Sequence, residues 1–229
     1  MTSKLHHYRF RPIFAVLLYY ITDRTQFPGD EATRRRRLLD KIAEAARAGV
    51  DFIQLREKDL STRELEALAQ AAVQVVRGNS QHTRLLINSR SDVAIACGAD
   101  GVHLRSVDVS PGETRRVWAN EGGGRVGERE TPVIAVSCHT VADVVRAASE
   151  RASLAALAPV FEKKDDAGAR LAGVEMLKEA CLQKIPVFAL GGVTLENAIA
   201  CAEAGAAGVA GIRLFQDQEV ARVVHRLRG

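Results

Sequence analysis

The sequence predicts an α/β protein, a single-domain TIM (β/α)8 barrel, on three observations. Eight short apolar runs alternate with eight segments of helical period. One junction recurs between them: a helix-like stretch ends in a Gly-containing turn and drops into an apolar run. It occurs at Ala48-Gly49-Val50-Asp51-Phe52-Ile53, at Gly98-Ala99-Asp100-Gly101-Val102 and at Gly205-Ala206-Ala207-Gly208-Val209. Glycine tolerates the left-handed backbone that ends a helix, and a repeated αβ step builds a parallel sheet. The third observation is size: 229 residues fit one barrel, typically about 250 residues, better than two small domains. Such a fold places its active site on the βα loops at the C-terminal ends of the strands.

The elements follow in order. The first strand is expected over 14–22. Its apolar run Phe14–Ile21 is too short to span a bilayer, and Thr22-Asp23-Arg24 follows in place of a small-residue cleavage site. Residues 1–12 read as an N-terminal extension and 13–229 as the barrel domain. The other strands are expected near 50–55, 84–88, 101–104, 133–137, 154–158, 186–190 and 208–212. Helices are expected near 31–48, 61–78, 91–97, 110–120, 140–151, 173–183, 195–204 and 217–228. Ser61-Thr62-Arg63-Glu64 reads as a capping box, and Thr140-Val141-Ala142-Asp143 offers a similar start. Ser110-Pro111 puts proline at a first helical position, and Asp217 is the expected cap of the last helix. Two loops are longer: Glu121-Gly122-Gly123-Gly124-Arg125 before the fifth strand, and Glu162-Lys163-Lys164-Asp165-Asp166-Ala167-Gly168 after the sixth. The second lies on the active-site face.

Composition narrows the class. Hydrophobic residues make up 47% and aromatics only 5%, so the expected core is Val, Ile, Leu and Ala, as suits strands covered on both faces. Net charge is +4 with a pI near 9.0, partly from Arg34-Arg35-Arg36-Arg37. No aromatic platform accompanies that run, so it reads as a solvated helix face and no nucleic-acid partner is expected. Cys97, Cys138, Cys181 and Cys201 include no Cys-x-x-Cys pair, which points to a reduced, cytoplasmic protein without a disulfide framework. Cys138 reads as core filler.

The chemistry is sought at the strand ends. Gln54-Leu55-Arg56-Glu57-Lys58 ends the second strand, and alternation sends Gln54 and Arg56 to one side with Lys58 in the loop. Arg and Lys there suit phosphate or diphosphate, against the alternative of a surface ion pair with Glu57. Asn88, in Asn88-Ser89-Arg90 after the third strand, offers a donor and an acceptor. His103 ends the fourth strand, with Asp108 beyond it. It reads equally as a ligand contact or as a buried histidine bonded to backbone. Ser137-Cys138-His139 ends the fifth strand, where the His139 imidazole can both take and give a proton. Gly191 and Gly192 after the seventh strand, with Gly211, Ile212 and Arg213 after the eighth, suit a phosphate site by the usual barrel arrangement, against the alternative of tight αβ packing with no ligand.

These motifs, with Tyr20-Ile21-Thr22-Asp23, Gly98–Leu104, Pro159-Val160-Phe161 and Leu190-Gly191-Gly192-Val193, resemble the thiamin phosphate synthase/thiazole tautomerase superfamily over about residues 15–228. The resemblance implies a barrel enzyme of thiamin biosynthesis that binds a thiazole phosphate. It also implies substrate contacts from Gln54, Arg56, Lys58, Asn88, His103, Ser137, Lys163 and Lys164, and a homodimer or larger assembly. A synthase couples a pyrimidine diphosphate to the thiazole phosphate with Mg²⁺ between two Asp residues. Here Ser89 stands where the first Asp is expected, Asp108 matches the second, and the Thr-rich loop after the sixth strand is missing. The preferred expectation is therefore a thiazole tautomerase with His139 as acid and base and no cofactor. The alternative is the synthase, using Mg²⁺ at Asp108 with help from Glu57 or Asp23. The second alternative is a non-catalytic binder of a phosphate ligand.

Overall fold

The computed structural model describes residues 16–122, 131–162 and 172–229. The expected 1–12 extension, Gly123–Arg125 and the loop bearing Lys163 and Lys164 lie outside the described residues. Eight parallel strands close into a barrel: β1 (Leu17–Ile21), β2 (Phe52–Leu55), β3 (Arg84–Asn88), β4 (Gly101–Leu104), β5 (Val133–Cys138), β6 (Leu154–Leu157), β7 (Val187–Leu190) and β8 (Gly208–Gly211). Strand order follows chain order, and β8 pairs with β1 through Leu18↔Val209 and Tyr19↔Ala210. The helices are α1 (Glu31–Arg47), α2 (Thr62–Asn79), α3 (Ser91–Cys97), α4 (Pro111–Gly122), α5 (Val141–Ser149), α6 (Gly173–Cys181), α7 (Ala198–Glu203), α8 (Arg213–Gln216) and α9 (Val220–Arg228).

The local signals act as the chemistry requires. The turn glycines Gly49, Gly98 and Gly205 take φ of 85°, 68° and 92°, the left-handed region in which a Cβ is penalised. Ser61–Glu64 and Thr140–Asp143 both form complete capping boxes. Ser110 exchanges hydrogen bonds with Glu113, so Pro111 opens α4 at the position where its missing N–H costs nothing. The four-arginine run lies on α1, where Arg35 bridges Glu31 and Glu64 and Arg34 donates to the Phe27 carbonyl. The last helical segment departs from expectation: it divides into α8 and α9, and Asp217 ends α8 while Glu219 precedes α9. The expected cap at Asp217 is thereby corrected, because the chain turns twice to carry Gln216 under the barrel rim.

The core is also more specialised than composition implies. Between strands and helices it is mainly aliphatic, with Tyr20 and Phe215 packed together within it. Three further aromatics stand inside the barrel. Tyr19, Phe52 and Phe188 meet edge-to-face with centroids 5.7, 5.9 and 5.8 Å apart, a geometry worth about 0.5–1.5 kcal/mol per pair beyond area burial. Glycine makes the room: a Cβ on Gly208 would stand 2.4 Å from the Phe188 ring and 2.4 Å from the Leu17 carbonyl oxygen. These rings plug the lumen and leave only its upper tier for polar groups. Among the described residues, no helix is long and apolar enough to cross a membrane.

Gly101 begins β4, where an added Cβ would fall 1.9 Å from the Val133 carbonyl oxygen. Gly101→Ala is expected to destabilise by about 1–3 kcal/mol or more. Denaturant unfolding should show a lowered midpoint with an unchanged slope.

Candidate active site

Above the aromatic plug, the inward positions of β2 to β5 carry Gln54, Asn88, His103 and Ser137. Register places Asn88 beside His103 and Gln54 beside Leu86. These polar groups are joined into two chains. Gln54 Nε2 donates to Asn88 Oδ1 at 2.8 Å, Asn88 Nδ2 donates to Ser89 Oγ at 3.2 Å, and the Ser89 hydroxyl donates to Asp108. Ser89 takes a left-handed φ of 59° to make this turn. Gln54 is 2% exposed, and its Oε1 accepts no hydrogen bond among the described residues. A buried orphan acceptor costs about 1–3 kcal/mol, so a ligand bringing an N–H donor would recover that cost.

The second chain runs Tyr19–His103–Ser137. Tyr19 Oη lies 2.9 Å from His103 Nδ1, and His103 Nε2 lies 2.8 Å from Ser137 Oγ. His103 is buried, as one expectation held, but its partners are side chains rather than backbone. Burial, aided by the Arg56 guanidinium, lowers its pKa to about 4, so the ring is neutral. Tyr19 was missed in the sequence. It looks like core filler, and only its register opposite β8 at the plug gives its hydroxyl an upward address.

Arg56 lines the cavity at the barrel mouth, while Lys58 lies exposed in the loop. Glu57 does not pair with Arg56. It turns outward and is buried, accepting from Thr22 Oγ1 at 2.6 Å, from the Arg24 backbone and from Arg24 Nη1 at 3.1 Å. Thr22 Oγ1 in turn accepts the Arg56 N–H at 3.0 Å. Arg24, itself buried, also binds Asp59 and Glu31. Glu57 is therefore a structural anchor that fixes where Arg56 begins. Asp23 is spent on Thr25 and Gln26. Neither is placed to hold a metal. Asp108 keeps a carboxylate one-tenth exposed, bound by Arg105 at 2.8 Å and held below its usual pKa; burial opposes that shift, while Arg105 and Ser89 hydrogen bonds drive it.

Across the mouth a cavity of about 720 Å³ extends from Ile21 and Arg56 to the ends of β7 and β8. Gly191, Gly192, Gly211, Ile212 and Arg213 all line it, with Thr194 and Asn197. The Gly191 carbonyl accepts from Phe161 N–H and the Gly192 carbonyl from Asn197 Nδ2. With those carbonyls engaged, the polar groups these glycines can offer a ligand are their N–H groups. Gly192 has φ of 64°, and a Cβ there would lie 2.5 Å from the Glu162 carbonyl oxygen.

His139 follows β5 on the rim and is exposed. Its Nδ1 lies 2.8 Å from the Ala158 carbonyl oxygen, so Nδ1–H donates and fixes the ring. Ala158 lines the cavity. Cys138 beside it is buried, and burial pushes its thiol up to about 12, which makes it core filler.

A filled (β/α)8 barrel with a glycine-walled cavity after β7 and β8, lined also by Arg56, has the layout of a barrel enzyme's active site. Comparison gives the family. The thiamine monophosphate synthase family matches residues 18–215, and the chain belongs to it. It is 40% identical over 196 residues to the thiamine-phosphate synthase of Methanoculleus marisnigri, covering 84% of each. It is 36% identical over 197 residues to that of Roseiflexus sp., covering 85% of this chain and 75% of that one. The thiamine phosphate pyrophosphorylase structure from Pyrococcus furiosus superposes with a TM-score of 0.74 at 26% identity, covering 93% of this chain and 94% of that one.

The neutral, buried His103 has a consequence for pH. As pH falls below the unfolded-state value of 6.5, the unfolded chain takes up this proton while the native ring does not until about 4. Native stability is therefore lost across that window, by an amount on the order of a few kcal/mol. Urea unfolding followed across the window should show a fall that is smaller in His103→Gln.

Proposed function

We propose that this chain is a thiamin phosphate synthase, which joins a hydroxymethylpyrimidine diphosphate to a thiazole phosphate and releases diphosphate. The observation that carries this reading is the orphan Oε1 of Gln54, buried in the polar tier at the end of β2. An aminopyrimidine brings an N–H donor for it, whereas thiazole carboxylate phosphate brings acceptors. The two-sided mouth agrees, with an amide-rich wall for one phosphate and a cationic wall for a second anion. The names of the relatives favour the same reading over the tautomerase that the loop sequences first imply.

In this reading Gly191, Gly192, Gly211, Ile212 and Arg213 hold the thiazole phosphate. Gln54 and Asn88 orient the pyrimidine, and Arg56 and Lys58 take the charge that develops on the departing diphosphate. Holding both partners in one cavity supplies much of the acceleration by orientation alone. In this reading Asp108 is the carboxylate that would hold Mg²⁺. Among the described residues no group of three metal-binding side chains exists, but Mg²⁺ is satisfied by one or two carboxylates plus phosphate oxygens and water. When bound, it neutralises diphosphate charge. Arg105, exposed on its outer side, is the competing cation that must yield Asp108.

His139 supports a second reading, the tautomerase. The bond to Ala158 fixes its ring on the rim with Nε2 still to serve as a base. The two readings separate cleanly. With both phosphorylated substrates and Mg²⁺, purified protein should form thiamin phosphate. Arg56→Ala should reduce kcat/KM by about 10²-fold, and His139→Ala should leave coupling nearly unchanged. No coupling at saturating substrate, together with tautomerisation that drops about 10²–10⁴-fold in His139→Ala, would establish the second reading. Binding without either turnover would make the chain a binder.

A further inference from the structure

We propose that Tyr19 is a positioning residue that fixes His103 in its Nε2–H form and thereby makes Ser137 a hydrogen-bond donor to the ligand. The argument starts from a buried hydroxyl. Tyr19 is fully buried, and burial keeps its hydroxyl protonated far above neutral pH. Among the described residues its only hydrogen-bond partner is His103 Nδ1, at 2.9 Å. The rest of its ring is enclosed by Phe52 and Phe188.

Two proton arrangements are conceivable. If His103 carried its proton on Nδ1, that N–H would donate to the Tyr19 oxygen and the tyrosine O–H would be left buried without an acceptor. Such an orphan donor is costly. If Tyr19 donates, Nδ1 is bare, and the single proton of the neutral imidazole sits on Nε2. The second arrangement satisfies both groups. Nε2–H then donates to Ser137 Oγ at 2.8 Å. Ser137 accepts from below, so its own hydroxyl hydrogen is free to turn away from His103. Ser137 is half-buried at the C-terminal end of β5, on the inward face it shares with Ala135. The open direction there is the barrel mouth.

The polarity Tyr19→His103→Ser137→ligand has a chemical meaning. Ser137 is not activated as a base or nucleophile by its histidine, because the histidine gives it a proton contact rather than taking one. It presents a polarised O–H to an acceptor atom, which can be a ring nitrogen or a phosphate oxygen of the bound ligand. The polarity does not depend on which reaction the site performs. Its effect on turnover rests on the synthase reading.

Nitrogen-15 NMR of the full-length protein tests the polarity directly, with the His103 signals assigned by their loss in His103→Gln. Wild type should show Nε2 protonated and Nδ1 bare at neutral pH; a protonated Nδ1 would overturn the proposal. Tyr19→Phe keeps the ring and its edge contacts while removing the donor. It should shift His103 toward a mixture of tautomers and lower kcat about tenfold with little change in KM. In the Tyr19→Phe/Ser137→Ala double variant the loss should be no greater than in Ser137→Ala alone, since Tyr19 acts through Ser137. Losses that multiply would show that Tyr19 acts otherwise and would refute the positioning role. Should wild type fail to couple the two substrates, the synthase reading falls, and the spectrum alone decides the polarity.

Discussion

A plugged lumen is the constraint on which the rest of this structure depends. Alternation along a strand sends every second side chain inward, and a closed barrel has room for few of them. Tyr19, Phe52 and Phe188 fill the lower lumen, and Gly208 supplies space for the Phe188 ring. Water is excluded from below, so whatever stands above the plug is polar on one side only. That is why His103 is neutral and why the hydroxyl of Tyr19 has one choice of partner.

The second organising feature is the buried charge network under the β2 rim. Arg24 binds Glu57 inside the protein and Asp59 and Glu31 nearer the surface. Removing one partner of such a pair would cost about 3–5 kcal/mol, because the other charge is left stranded. Thr22 links this network to the Arg56 backbone. The loop after β1 and the loop after β2 are thus held as one piece, and the guanidinium of Arg56 starts from a fixed point.

Much of this was legible in the sequence. The αβ junction glycines, the capping boxes and the inward pairing of Gln54 with Arg56 follow from local rules that tertiary packing does not override. The glycine wall at Gly191, Gly192 and Gly211 was readable for the same reason. Other features were not. A surface pair of Glu57 with Arg56 stood as the alternative to a phosphate contact, because nothing local reveals that a strand end turns its odd residue into a buried pocket shared with Arg24. Tyr19 carried no signal of its own within the apolar run of β1, since a lumen position is defined only once β1 closes against β8. Asp217 looked like a cap, though the chain spends it ending a four-residue helix. Ser89 read as a missing carboxylate; the structure gives it a task, relaying Asn88 to Asp108 through a left-handed turn.

One detail bears on how such a site could diversify. The backbone of Gly192 is wedged against the carbonyls of Phe161 and Glu162, leaving no space for any side chain. A stretch of cavity wall made of glycine backbone offers little side-chain identity for a substitution to retune. Change in what the cavity accepts is left to the side chains elsewhere on its lining, Arg56, Thr194 and Glu196 among them.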